Sequence, residues 1–201
     1  MTQAGLVVLI SGNGSNLQAI LDAISTGELP AEVRAVISNK KDAYGLERAR
    51  KAGVPAVVKS RRSDQNRAEY DTELANLVAG YQPDLIVLAG WMRLLTLNFL
   101  GRFPGRVINL HPALPGMFPG VDAIERAYEA YHRGEIKYTG IMVHYVPDEG
   151  VDIGPIINQQ IVEIRPSDTL EELEMRVHAC EHELLVKTIQ QLINQMEEED
   201  A

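Results

Sequence analysis

The sequence predicts an α/β fold with a mostly parallel central sheet, partly antiparallel near the C-terminal part and closed by a long C-terminal helix. Three observations carry this. Short, continuous apolar runs alternate with stretches of helical periodicity, as βα units require. Glycine- and proline-rich breaks separate them. A last, long amphipathic stretch follows two strand-like runs that have no helix between them.

Leu6–Ile10 is apolar throughout rather than alternating, the pattern of a strand buried on both faces. The break Ser11–Asn16 follows, then Leu17, Ile20, Leu21 and Ile24 at helical spacing. Val33–Ile37 is a second strand and Tyr44–Lys51 a helix closed by Gly53-Val54-Pro55. Tyr70, Leu74, Leu77, Val78 and Tyr81 share one helix face, ended by Pro83. Strands at Leu85–Ala89 and Val107–Leu110 come next, the latter running into a Pro/Gly-rich loop from His111 to Gly120. Asp122–Arg133 reads as a helix with Asp122 or a neighbour as cap and Gly134 as stop. Thr139–Val146 and Ile156–Ile164 form the late strand pair. Thr169 and Glu172 form a capping-box pattern that starts the last helix, whose apolar face runs from Leu170 to Ile193. The acidic tail, residues 197–201, is expected to be frayed and disordered.

At 201 residues the chain has the size of one domain, residues 1–201, with enough buried surface to fold without disulfides. The charged fraction of 23% and hydrophobic fraction of 45% exclude disordered and fibrous classes. A net charge of −9 opposes a phosphate backbone, so no nucleic-acid partner is expected. The one cysteine, Cys180, fits a reducing, cytoplasmic setting and the apolar stripe of the last helix. No apolar run is long enough to span a bilayer, so no membrane partner is expected either.

Ligands in open α/β sheets bind at the carboxyl ends of the strands. Here those ends are Ser11–Asn16, Gly90–Arg93 and Asn109–Pro112. Small residues in the first let backbone N–H groups approach an anion at a helix N-terminus, which suits a phosphate. A tight turn with no ligand is the plainer alternative. Asn109 and His111, two apart on a strand, point to the same side. Asn supplies a neutral donor for a developing oxyanion and His moves protons near neutral pH. A histidine that only bridges a loop is equally compatible with the spacing. Asp152 would orient the ring and raise its pKa, with Asp148 as the rival carboxylate. Arg61, Arg62 and Arg67 form a basic cluster that could reach the same phosphate. His178 and His182, four apart with Glu181 between, match a zinc-binding helix only faintly: the glutamate is misplaced and a third ligand is lacking, so no metal is expected.

Ile10–Leu17, Leu88–Arg93, Asn109-Leu110-His111-Pro112 and Val151–Pro155, in this order, resemble the folate-dependent formyltransferase family, in particular the phosphoribosylglycinamide formyltransferases. The resemblance runs from about Leu6 to Ile193. It implies a Rossmann-like three-layer fold and transfer of a formyl group from 10-formyltetrahydrofolate, as co-substrate, to the amino group of glycinamide ribonucleotide in purine biosynthesis. It implies Asn109, His111 and Asp152 as catalytic residues. Gly12, Asn13, Gly14, Ser15 and Asn16, with Arg67 and Glu181, then bind the ribonucleotide. Met92, Arg93, Leu94, Leu95, Asp148 and Glu149 line the folate pocket. Where many relatives carry a second histidine beyond the His-Pro loop this chain has Asp122, and its loop Pro147–Asp152 is one residue longer than in some relatives. A homodimer is compatible with the resemblance.

The expected mechanism is direct attack of the amine on the formyl carbon within a ternary complex, with Asn109 and protonated His111 stabilising the oxyanion. Two other readings remain: hydrolysis of 10-formyltetrahydrofolate, and a non-catalytic module that binds a phosphometabolite at the Ser11–Asn16 turn. A transfer-RNA formylating relative is disfavoured by the negative charge.

Overall fold

The computed structural model describes residues 3–199. Seven strands form one sheet: β1 (Ala4–Ile10), β2 (Ala31–Ser38), β3 (Ala56–Val58), β4 (Leu85–Leu88), β5 (Val107–His111), β6 (Tyr138–Tyr145) and β7 (Ile156–Glu163). Their order is β3-β2-β1-β4-β5-β6-β7. The first five are parallel, and β6 and β7 are antiparallel. The mixed sheet therefore matches the expected class. The three-residue β3 is too short to leave a periodic signal and has no counterpart among the strands expected from the sequence.

Side-chain alternation divides the core in two. Leu6, Val8, Ile10, Ile108 and Leu110 face α1 (Ser15–Ser25), α2 (Gly45–Lys51), α5 (Ala123–His132) and α6 (Leu170–Glu199). Val7, Leu9, Ile86, Leu88 and Val107 face α3 (Arg67–Ala79) and the short α4 (Leu97–Leu100). Three layers result. Among the described residues no helix is long and apolar enough to cross a membrane.

Helix ends follow local chemistry, with two departures. The Thr169–Glu172 box forms as expected: Thr169 N–H donates to Glu172 Oε2 (2.8 Å), and Glu172 N–H donates to Thr169 Oγ1 (3.3 Å). Asn66 and Glu69 make a second, unanticipated box at α3. Asp122 does precede α5, but its backbone is left-handed (φ 56°) and its side chain makes no cap bond. The acidic tail also differs from expectation. Helix α6 continues through Glu199, because Leu192, Ile193 and Met196 carry the apolar stripe one turn further against the core. Residues 200 and 201 lie outside the described residues.

Candidate active site

The strand order reverses between β1 and β4, which makes their carboxyl ends the switch point where a crevice opens. Ser11 ties that point together. Its N–H donates to Gly90 O (3.0 Å), its hydroxyl donates to Asn39 Oδ1 (2.7 Å), and it accepts from Met92 N–H (2.8 Å). One buried hydroxyl thereby joins the ends of β1, β2 and β4.

The turn that follows is built for close backbone approach. Gly14 has φ 76°, and a Cβ there would lie 2.7 Å from Gly45 Cα, so only glycine fits. Gly14 is also the N-cap of α1 and has no side chain to bond the first amides, and the first turn holds no acid. Unpaired N–H groups and the helix dipole are thus left for an anion beside Ser15 and Asn16. Asn16 Oδ1 is buried without a partner. Asn13 instead turns to α2: its carbonyl and Oδ1 accept from Arg48 Nε (2.9 Å) and Nη2 (2.8 Å). Arg48 braces the turn and adds positive charge beside it. It lies 35 positions along the chain from Asn13, in an ordinary helix, so nothing in the sequence marks it as part of the turn.

The second half of the site is made of side chains. Asn109 and His111 lie on one side of β5, on the α3 and α4 face, and both reach Asp152. Asn109 Nδ2 donates to Asp152 Oδ1 (3.0 Å), and His111 Nδ1 lies 3.3 Å from Oδ2. Gly120 N–H donates to the same Oδ2 (2.9 Å). Asp152 holds its carboxylate there from a left-handed backbone (φ 53°), a conformation costing about 1–2 kcal/mol per residue that these bonds offset. Asp148 only accepts from Gly150 N–H (2.8 Å) in its own loop, so the choice between the two carboxylates falls on Asp152.

His144 is the member that sequence reasoning missed. The antiparallel register sets it directly opposite Asn109. Its Nδ1 lies 2.8 Å from Tyr145 O, which requires Nδ1–H, so Nε2 is free to accept from Asn109 Nδ2 (3.2 Å). Nε2 is also 3.5 Å from Asp152 Oδ1. Only a known strand pairing could have brought it to Asn109.

Electrostatics at the cluster pull in opposite directions. Burial pushes the His111 imidazole below its ordinary pKa; the Asp152 charge and the Phe118 carbonyl act upward but do not outweigh it. The ring is 3% exposed, and desolvation of the cation wins. His111 therefore takes up a proton less readily than a free imidazole. For Asp152, burial pushes upward, but the His144 imidazole beside it, the Gly120 N–H and the neighbouring His111 prevail and hold the carboxyl low.

A cavity of about 200 Å³ opens beside this cluster. Met92, Arg93, Leu94, Leu95, Asp148, Glu149 and Asp152 line it together with Asn109 and His144, so every residue expected at the folate pocket borders one space. Trp91 also lines it. Arg93 stacks on Tyr70, 4.8 Å from the ring centroid, which fixes the guanidinium over an aromatic face. His111 is not part of the lining; its Nε2 faces Phe118 O at 3.1 Å.

Two arginines of the basic cluster make contacts of their own. Arg67 does not join the helix turn: it donates to Leu94 O (3.3 Å), Leu95 O (3.4 Å) and Glu149 Oε2 (3.3 Å), on the cavity side. Arg62 is held by Glu73 and Asp64. Glu149 also accepts from Leu97 N–H (3.1 Å), and Arg67 thereby braces, from behind, three residues that line the cavity: Leu94, Leu95 and Glu149. Glu181 is buried on α6 and bonded to His178. Among the described residues no group of three or more His, Cys, Asp or Glu side chains could hold a metal ion.

Comparison with known proteins agrees with this fold. The sequence model of the formyl transferase family matches residues 4–189. The phosphoribosylglycinamide formyltransferase of Schizosaccharomyces pombe is 49% identical, with 94% of this chain and 97% of that protein covered. That of Escherichia coli is 44% identical over 88% of this chain and 81% of its own length. Among solved structures, glycinamide ribonucleotide transformylase 1 from Symbiobacterium toebii superposes with a TM-score of 0.90 at 42% identity, covering 96% of this chain and 89% of that one. Matched along nearly its whole length by sequence and by fold, the chain belongs to the formyl transferase family.

Proposed function

We propose that this chain transfers the formyl group of 10-formyltetrahydrofolate to the amino group of glycinamide ribonucleotide; its relatives named phosphoribosylglycinamide formyltransferase support the group transferred and its acceptor. The observation that carries the reading is one carboxylate, Asp152, bonded to Asn109 and facing His111 at the edge of a cavity. The phosphate of the ribonucleotide sits at the Gly12–Asn16 turn, on the α1 face of the sheet. The folate occupies the cavity on the α3 and α4 face. Their reacting ends meet at the carboxyl edge between them, which favours a ternary complex and direct transfer.

The amine attacks the formyl carbon, so a C–N bond forms and the carbonyl electron pair becomes an oxyanion. The resting cluster is internally saturated. Both Asn109 amide protons are engaged, by Asp152 and His144, and His111 Nε2 faces the Phe118 carbonyl. Asn109 then exchanges its longer bond, to His144, for one to the oxyanion. His111 takes the proton shed by the attacking nitrogen, and Asp152 stabilises the imidazolium that forms. The same proton passes to the folate nitrogen as its bond to carbon breaks. Among the described residues no side chain is positioned as an activated nucleophile, so no formyl-enzyme is invoked.

The test is a spectrophotometric formyl-transfer assay with the ribonucleotide present or omitted. Acceptor-dependent consumption of 10-formyltetrahydrofolate is expected. Equal consumption without acceptor would assign a hydrolase, and a formyl group covalently bound to protein after mixing with folate alone would overturn direct transfer.

A further inference from the structure

The loop between β5 and α5 holds the Asn109–His111–Asp152 cluster from one side. Phe118 (φ 45°) and Gly120 (φ 84°) both have left-handed backbones there. Glycine adopts that region freely, but in Phe118 the Cβ crowds the following carbonyl, so the conformation needs support from outside the loop. Two backbone groups of this stretch reach the cluster. Phe118 O faces His111 Nε2 (3.1 Å), and Gly120 N–H donates to Asp152 Oδ2 (2.9 Å). Val121, the next residue, lines the cavity.

Arg126 supplies the support. Its Nη2 donates to Phe118 O (2.7 Å) and to Pro119 O (2.8 Å), and the guanidinium lies 5.8 Å from the Phe118 ring centroid. On helix grounds the position is a poor one for a cation. Arg126 stands one turn into α5, near the positive end of the helix dipole, and its Nε is buried without a partner. The bonds to the loop offset both costs. The Phe118 carbonyl has two lone pairs, so it can serve the arginine and the imidazole together. His111 is thereby gripped at both ring nitrogens, by the Asp152 carboxylate at Nδ1 and by this carbonyl at Nε2. Acceptors at both nitrogens suit the imidazolium that proton uptake creates.

We infer that Arg126 is a positioning residue for formyl transfer: it fixes the backbone of residues 118–120 so that the Phe118 carbonyl and the Gly120 N–H hold His111 and Asp152 in place. Arg126 does not line the cavity, so it acts through these two side chains rather than on a reactant. The inference rests on the catalytic roles proposed above for His111 and Asp152.

The experiment is a double-mutant cycle read by steady-state formyl transfer, with Arg126→Ala and Arg126→Lys each made in the unmodified protein and in His111→Ala. In the unmodified protein Arg126→Ala should lower kcat about ten- to a hundredfold, the scale of a small misplacement of reacting groups, with both KM values within about twofold. Arg126→Lys keeps the charge but not the planar fork, and should recover part of kcat. With His111 already removed, the effect of Arg126→Ala should shrink to about two- or threefold, since the group it positions is gone. The inference is overturned if Arg126→Ala leaves kcat unchanged, or if its loss is as large in His111→Ala as in the unmodified protein, the result expected of a residue that only stiffens the loop. Should thermal unfolding show that Arg126→Ala does not fold, the same cycle run with Arg126→Lys decides. If His111→Ala itself turns over normally, the role of His111 falls and this inference with it, while acceptor-dependent formyl transfer would still stand.

Discussion

The turn after β1 and the cluster at the end of β5 occupy neighbouring strand ends and solve opposite problems. The turn presents backbone: its donors are main-chain N–H groups, its shape is enforced by the close approach of Gly14 to Gly45, and nothing in it titrates near neutral pH. The cluster presents side chains: an amide, two imidazoles and a carboxylate drawn from β5, β6 and the loop before β7. A fixed anion suits preorganised backbone dipoles, whereas a proton that must be taken up and released needs groups whose charge can change. The difference separates binding from chemistry within one crevice.

The sharpest way to break that division is His111→Ala. Loss of the proton carrier should lower kcat by about 10²–10⁴-fold with little change in either KM, measured by steady-state transfer. A variant with near-normal turnover would demote His111 to a loop brace on Phe118. Asp152→Asn comes next. It removes the charge that acts upward on the His111 pKa, so the acid limb of the pH–rate profile, already below 6.5 because the ring is buried, should move to still lower pH. Turnover should fall on the order of 10²-fold because the imidazolium loses its partner. An unmoved limb would uncouple the two residues.

Gly14→Ala tests the other region. The added Cβ meets Gly45 backbone and must adopt a left-handed φ, so thermal unfolding should show a loss of about 1–3 kcal/mol. The effect on catalysis should fall on the ribonucleotide KM while the pH–rate profile keeps its shape. A shifted profile would mean that turn and cluster are not separable. The smallest effect is expected for Glu149→Gln. Arg67 keeps its carbonyl partners and the exposed pair is worth about 0.2–1 kcal/mol, so only a few-fold change in folate KM should appear.

Legibility in the sequence also divides along this line. Buried strands announce themselves as apolar runs, and the turn by its run of small residues, so β1, β4, β5 and the turn after β1 could all be read directly. Asn109 and His111 were readable because alternation fixes their common side. His144 was not, since its role depends on which strand lies opposite β5. Arg48 and the path of Arg67 depend on packing between distant helices, and spacing along the chain carries no record of either.

Patterning of apolar and small residues was sufficient by itself to determine the layered α/β architecture, the strand ends that form the crevice and the residue types available there, because burial and backbone geometry act locally along the chain. Tertiary structure alone decided that Asp152 rather than Asp148 faces His111, that Arg67 bonds to residues lining the cavity, and that burial lowers the His111 pKa. Those outcomes depend on burial and on the balance of charges converging from four separate segments, and desolvation of an imidazolium is a property of the assembled interior.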